Sequence, residues 1–178
     1  MPDYTDRPAR KSPRLKDYDY AQYGAYFVTV CTQNRACLFG EVVDGMMLLN
    51  DCGQIVQTHF NDLPRHYANI ELDAFVVMPN HVHGIIMILD DHSNTATSVG
   101  EDLKPSPTTK KHGLTEIVRG FKTFSARRIN TMRDTPGQRV WQGSFHDHII
   151  RDETDLNRLR EYILTNPGRW EKDTLFNT

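Results

Sequence analysis

The order of strand-like and helix-like segments predicts an α+β fold. It is the ferredoxin-like split βαβ arrangement, an antiparallel sheet with helices packed on one face. Three observations carry this. Short runs rich in β-branched and aromatic residues recur at 26–32 and 70–89. Two longer segments, 114–132 and 152–166, place apolar residues at helical spacing. The segments also alternate as strand, helix, two strands, helix, strand, helix. With 178 residues, 38% of them hydrophobic and 25% charged, the chain is most simply one domain of ordinary globular composition. Residues 1–20 read as a polar, basic N-terminal arm, 21–170 as the folded domain and 171–178 as a C-terminal tail.

Composition narrows the functional classes. No apolar run is long enough for a membrane-spanning helix, and the first residues lack the apolar core of a secretory signal, so a cytoplasmic protein without a membrane partner is expected. Cys31, Cys37 and Cys52 show no CxxC spacing, which fits reduced thiols. The net charge of −2 hides a segregation. Lys104 to Arg139 carries nine basic residues against Glu116 and Asp134, whereas 21–103 holds Arg35 and Arg65 against ten acids. A basic segment of this kind is the footprint of a phosphate binder or, more blandly, of a solvated helix face.

Along the chain, the prolines and five basic residues of the arm (Arg14 among them) suggest an extended segment that can touch phosphate. Tyr26 to Thr32 is strand-like by residue type. Asp44-Gly45 between Val42-Val43 and Met46-Met47-Leu48 marks a hairpin. Asn50 or Asp51 is a suitable cap for a helix reaching His66, with Ile55, Val56, Phe60 and Leu63 as its buried stripe. A strand from Ile70 runs to Met78, Pro79-Asn80 turns the chain, and a second strand follows to Leu89. Residues 90–109 are rich in Ser, Thr, Asn, Gly and Pro and read as a surface loop able to close over a ligand. Leu114 to Met132 is an amphipathic helix buried through Leu114, Ile117, Val118, Phe121, Phe124 or Ser125, and Ile129, with Arg119, Lys122, Arg127 and Arg128 on its other faces. An irregular strand is expected over Val140–Ile150, with Trp141 and Phe145 as core residues or, failing that, base-stacking platforms. The last helix starts near Asp152 and stops before Pro167.

Two constellations carry chemistry. His81 and His83 flank Val82 in a strand, so both imidazoles project from one face while Val82 enters the other. Such a pair is half a metal site, or else two polar residues on a solvated sheet face. Tyr162 and Asn166 are four residues apart in the last helix and share a face. A tyrosine beside a cation can attack phosphorus, and an amide oxygen suits a hard ion such as Mg²⁺ or Mn²⁺. The bland alternative is a surface aromatic and a helix cap.

MPNHVHGI (78–85) followed by REYILTNPGRW (160–170) resembles the REP-associated tyrosine transposases, a branch of the HUH family of single-strand DNA endonucleases. GAYFVTVCTQNR, LTEIVRGFKTFSARRIN and VWQGSFHDHIIRDETDLNRLREYI extend the resemblance over 24–170. It implies His81 and His83 as the metal-binding pair, Tyr162 as nucleophile and Asn166 as third ligand. The activity implied is metal-dependent cleavage and rejoining of single-stranded DNA at REP-like hairpins through a 5′-phosphotyrosine. Either a monomer or a homodimer is compatible. Arg119, Lys122, Arg127, Arg128 and Arg14 are the candidate DNA contacts, from charge and position.

Two rivals stand beside this. A histidine-triad hydrolase needs a third alternating histidine, where this chain has Ile85. A non-catalytic, domesticated hairpin-binding protein would use the same basic surfaces without the chemistry. A second alternating pair, His146 and His148, encloses Asp147, not a hydrophobic residue.

Overall fold

The computed structural model describes residues 18–90 and 111–176. Arg14 and the remainder of the expected arm, and nearly all of the expected 90–109 loop, lie outside them.

Four strands form one antiparallel sheet: β1 (Gly24–Cys31), β4 (Ile70–Val77), β5 (His81–Ile88) and β6 (His146–Ile150), in the order β4-β5-β1-β6. That is the ferredoxin-like order. A separate hairpin, β2 (Gly40–Val43) and β3 (Met46–Leu49), turns at Asp44-Gly45, where both residues have positive φ (51° and 75°) as a two-residue hairpin turn demands. The helices are α1 (Asp51–Asn61), the short α2 (Leu63–His66), α3 (Leu114–Met132) and α4 (Glu153–Thr165). Asn50 caps α1 by accepting from the Gly53 amide at 3.0 Å, and Asp152 caps α4 by accepting from that of Asp155 at 2.8 Å.

Strand alternation divides the core in two. Tyr26, Val28 and Val30 of β1 and Val82 and Ile86 of β5 face α1 and α3 and form the larger cluster. Phe27 and Ile85 point the other way and meet Leu159 and Ile163 of α4. The two crossover helices therefore share one face as expected, but α4 covers the opposite face and not the same one. His81 and His83, in phase with Ile85, come to lie under α4. Arg160 fastens that helix to β4 by a bidentate pair with Asp73, Nε to Oδ1 at 2.8 Å and Nη2 to Oδ2 at 2.6 Å.

One open expectation is settled and one is changed. Ser125, not Phe124, takes the buried position on α3: its hydroxyl donates to the Phe121 carbonyl (2.6 Å) and accepts from the Trp141 indole (3.0 Å), while Phe124 is exposed. The segment from Val140 becomes a strand only at His146. Before that, Lys122 Nζ donates to the carbonyls of Gln142 (2.6 Å) and Gly143 (3.0 Å), and Trp141 forms a lone bridge to Thr32.

Directly after His83, Gly84 makes room for Phe60, whose ring stacks on Phe75 at 3.9 Å and meets Phe121 edge-on. A Cβ on Gly84 would stand 2.5 Å from Phe60 Cζ, and this ring is held by aromatic neighbours. Gly84→Ala should therefore destabilise the protein by about 1–3 kcal/mol through overpacking. Chemical denaturation measures this; an unchanged midpoint would mean that the Phe60 ring moves without penalty.

Candidate active site

The turn before β5 is built to hold its first residue still. The Met78 amide donates to the His81 carbonyl at 2.8 Å, the Thr32 amide donates to the Asn80 carbonyl at 2.9 Å and the Phe39 amide to that of Pro79 at 3.0 Å. From this anchored start His81 and His83 project together. Both are buried, and their Nε2 atoms face each other at 3.0 Å. The far nitrogens are also held, His81 Nδ1 by Asn80 Oδ1 at 2.7 Å and His83 Nδ1 by Thr29 Oγ1 at 2.8 Å. Phe27 stacks on the His83 ring at 5.2 Å, and Trp170 packs against His81 at 5.9 Å.

α4 brings Tyr162 to this pair. Its hydroxyl lies 3.3 Å from His83 Nε2, its ring meets His83 edge-on at 5.1 Å, and 36% of the residue remains exposed, so a large ligand can reach the phenol. Asn166 follows at the helix end. Its Nδ2 donates not to a histidine but to Asp173 Oδ2, at 3.1 Å, and its buried Oδ1 has no hydrogen-bond partner among the described residues.

Asp173 is the residue that sequence reasoning missed. After α4 a 3-10 turn over Pro167–Lys172 doubles the chain back, and Asp173 Oδ2 arrives 3.9 Å from His81 Nε2 with its side chain 4% exposed. The Leu175 amide donates to Oδ1 at 2.7 Å. His81, His83 and Asp173 are the group of potential ligands close enough to share one ion among the described residues. Pro167-Gly168 marks the end of the helix in the sequence, and nothing in the spacing records where the chain lands after it.

Electrostatics follow from burial. Loss of solvent pushes both imidazoles down to about 3, with the Arg35 charge adding to the effect at His81 and His81 adding to it at His83. Burial, and then the Asp173 carboxylate, push the Tyr162 phenol up, while the Asn166 amide pulls it partly back. At neutral pH the site thus presents two uncharged imidazoles, a protonated phenol and a nearby acid. The donor set fits a small divalent cation. It offers two imidazoles, a buried carboxylate with no cationic side chain on it among the described residues, and an orphaned amide oxygen.

The basic residues sit elsewhere. Arg119, Lys122, Arg127 and Arg128 belong to α3, across the sheet from α4. Lys122 is engaged in tying down the loop before β6, and Arg119 and Arg139 border a groove of about 490 Å³ walled by Trp141 and Phe145. His148 pairs with Asp155 at 2.6 Å, and among the described residues His146 and His148 belong to no cluster of potential metal ligands.

No protein-family model matches the chain. It is 38% identical over 173 residues to an uncharacterised protein of Haemophilus influenzae, covering 94% of this chain and 93% of that one. It is 24% identical over 149 residues to a "Putative REP-associated tyrosine transposase" of the same organism, covering 84% and 73%. In three dimensions it is similar to a REP-associated tyrosine transposase bound to a REP hairpin, with a TM-score of 0.57 at 20% identity over 88% of this chain and 73% of the other. That structural likeness bears on the fold. The sheet, its two crossover helices and the helix laid across the histidine strand form a transposase-type fold. In sequence and in fold the chain is REP-associated tyrosine transposase-like. No helix among the described residues is long and apolar enough to cross a membrane.

The histidines make stability depend on pH in a definite direction. Their folded values are lowered from the ordinary value of 6.5, so the unfolded chain takes up protons first. Their contribution is complete above the ordinary value and is lost as pH falls from there towards about 3. In EDTA, the melting temperature should drop between about pH 7.5 and about pH 5, and less so in a His81→Asn/His83→Asn variant. Equal slopes for the two proteins would show that the imidazoles are not held neutral.

Proposed function

We propose that the protein is a metal-dependent single-strand DNA endonuclease of the transposase type, which cleaves and rejoins DNA at REP-like hairpins through a 5′-phosphotyrosine on Tyr162. The observation that carries this reading is the convergence on one point of His81 Nε2, His83 Nε2, Asp173 Oδ2 and the Tyr162 hydroxyl. The DNA and the hairpin are supported by what the similar solved protein is bound to.

His81, His83 and Asp173 would hold Mg²⁺ or Mn²⁺, with the Asn166 oxygen close by. Such an ion, when bound, neutralises charge on the non-bridging oxygens of the scissile phosphate. Tyr162 supplies the nucleophile from a helix whose position is fixed by Ile163, Leu159 and the Arg160–Asp73 pair, which is the alignment that in-line displacement requires. Its oxygen bonds to phosphorus as the bond from phosphorus to the 3′ oxygen breaks. The phenolic proton leaves, and the 3′ oxygen ends as a hydroxyl. Reversal by a 3′-OH, on the same strand or another, restores the tyrosine. The raised phenol makes proton loss the demanding part, and a cation beside it favours the phenolate.

Tyr162 stands 3.3 Å from His83 of its own chain, so attack in cis is the reading adopted, and either a monomer or a homodimer is compatible with it. Arg119, Arg127 and Arg128 serve the hairpin backbone away from the cleavage point, and Arg14, outside the described residues, is proposed as a further phosphate contact. Lys122 acts by shaping the loop before β6.

The test is a denaturing gel with end-labelled single-stranded REP DNA and Mn²⁺, Mg²⁺ or EDTA. A metal-dependent, SDS-resistant adduct is expected, absent with duplex DNA. Tyr162→Phe should abolish the adduct and leave hairpin binding within about twofold, because only the hydroxyl is lost. Asp173→Asn should raise the Mn²⁺ concentration needed for cleavage by about tenfold or more. Hairpin binding by the wild type with no adduct under any metal would favour the non-catalytic reading.

A further inference from the structure

Asn80 is completely buried, and three contacts fix which way its amide faces. Nδ2 donates to the Leu175 carbonyl at 2.8 Å and to the Arg35 carbonyl at 3.3 Å. The opposite orientation would set an oxygen against two carbonyl oxygens. Oδ1 therefore faces His81, and an amide oxygen only accepts. It follows that His81 carries its proton on Nδ1 and that its Nε2, turned to His83, is a bare lone pair.

The partner histidine is held differently. His83 Nδ1 faces a hydroxyl, Thr29 Oγ1, which can rotate either to donate or to accept. With His81 Nε2 unprotonated, the 3.0 Å contact between the rings is a hydrogen bond only if His83 Nε2 donates it. In the metal-free protein, then, Thr29 donates to His83 Nδ1, and the single proton of His83 sits on Nε2, donated to His81 at 3.0 Å with the Tyr162 hydroxyl as a second, longer acceptor at 3.3 Å. A cation at this point needs both Nε2 lone pairs. His83 can provide its own by carrying the proton on Nδ1 instead, with the Thr29 hydroxyl now accepting.

We propose that Asn80 is a positioning residue that locks His81 in the Nδ1–H tautomer, so that the pair consists of one imidazole preset for a cation and one that adjusts through Thr29. This rests on the metal reading above only for its purpose; the placement of the protons stands on the hydrogen bonds alone. The same amide ties His81 to the segment that carries Asp173, because the Leu175 carbonyl it binds lies two residues beyond that carboxylate. Asn80 thus holds the histidine and the returning chain in one register.

The experiment is long-range nitrogen–proton NMR of metal-free protein labelled with ¹⁵N-histidine, in EDTA, with Mn²⁺ affinity measured separately by calorimetry without DNA. In the wild type His81 should show a protonated Nδ1 and His83 a protonated Nε2, and diamagnetic Mg²⁺ should move the proton in His83 only. Asn80→Ala should leave His81 a mixture of tautomers and weaken Mn²⁺ binding by about 10- to 100-fold. Asn80→Asp keeps the acceptor, so the His81 tautomer should persist although the tie to Leu175 is lost. Thr29→Val, nearly isosteric, should alter the His83 signals and leave those of His81 unchanged, a result that does not depend on the alanine variant folding. A protonated Nε2 on His81 in the wild type, or a His81 tautomer that follows Thr29 rather than Asn80, would overturn the proposal. The expected tautomers without Mn²⁺ uptake by the wild type would overturn the metal reading and leave the role of Asn80 standing.

Discussion

Two imidazole nitrogens held 3.0 Å apart in a buried pocket are the constraint around which this molecule is built. A strand places alternate residues on one face, but it does not by itself make their rings converge. Convergence needs each ring to be gripped from behind, by Asn80 and Thr29, and walled at the side, by Phe27 and Trp170. The same burial that shapes the pocket keeps both rings neutral, and neutral imidazole is the form able to bind a cation.

The division of the sheet follows from this arrangement. Its face towards α1 and α3 carries the large apolar cluster and can supply most of the hydrophobic stabilisation, leaving the opposite face able to host polar groups. On that second face the apolar cluster is small, Ile85 with Leu159 and Ile163, so α4 relies also on the Arg160–Asp73 pair near the irregular stretch of β4. The helix that carries Tyr162 is thus positioned by a few specific contacts, and the orientation of its hydroxyl is set by them.

Much of this was legible in the sequence. The helix over Leu114–Met132, the Asp44-Gly45 hairpin, a cap at Asn50 or Asp51, the start of the last helix near Asp152 and the strand–turn–strand around Pro79-Asn80 all rest on local chemistry, which a linear sequence records. The meeting of His81, His83 and Tyr162 was legible through two separated motifs taken together. What escaped was non-local. Choosing Ser125 over Phe124 depended on a hydrogen bond from Trp141, sixteen residues away, and the late start of β6 reflected three carbonyls captured by Lys122. The face chosen by α4 depended on the phase of Ile85 relative to Tyr26, and Asp173 on a turn whose landing point no periodicity encodes.

Asp173 also changes the account of Asn166. Position on the helix alone suggested an amide oxygen as the third ligand. In the folded chain the amide nitrogen holds the carboxylate, and the oxygen is left buried without a partner beside it. The carboxylate stands beside two neutral imidazoles with the Asn166 and Leu175 amides as its donors and no cationic side chain on it among the described residues, a set of acceptors to which a positive charge can be added. An orphaned amide oxygen in the same place adds to that set. In the proposed site these residues would hold a divalent ion, whose charge would favour the phenolate of the neighbouring Tyr162. The same cluster of acceptors that would hold the ion thus stands directly beside the phenol whose proton loss that ion would favour.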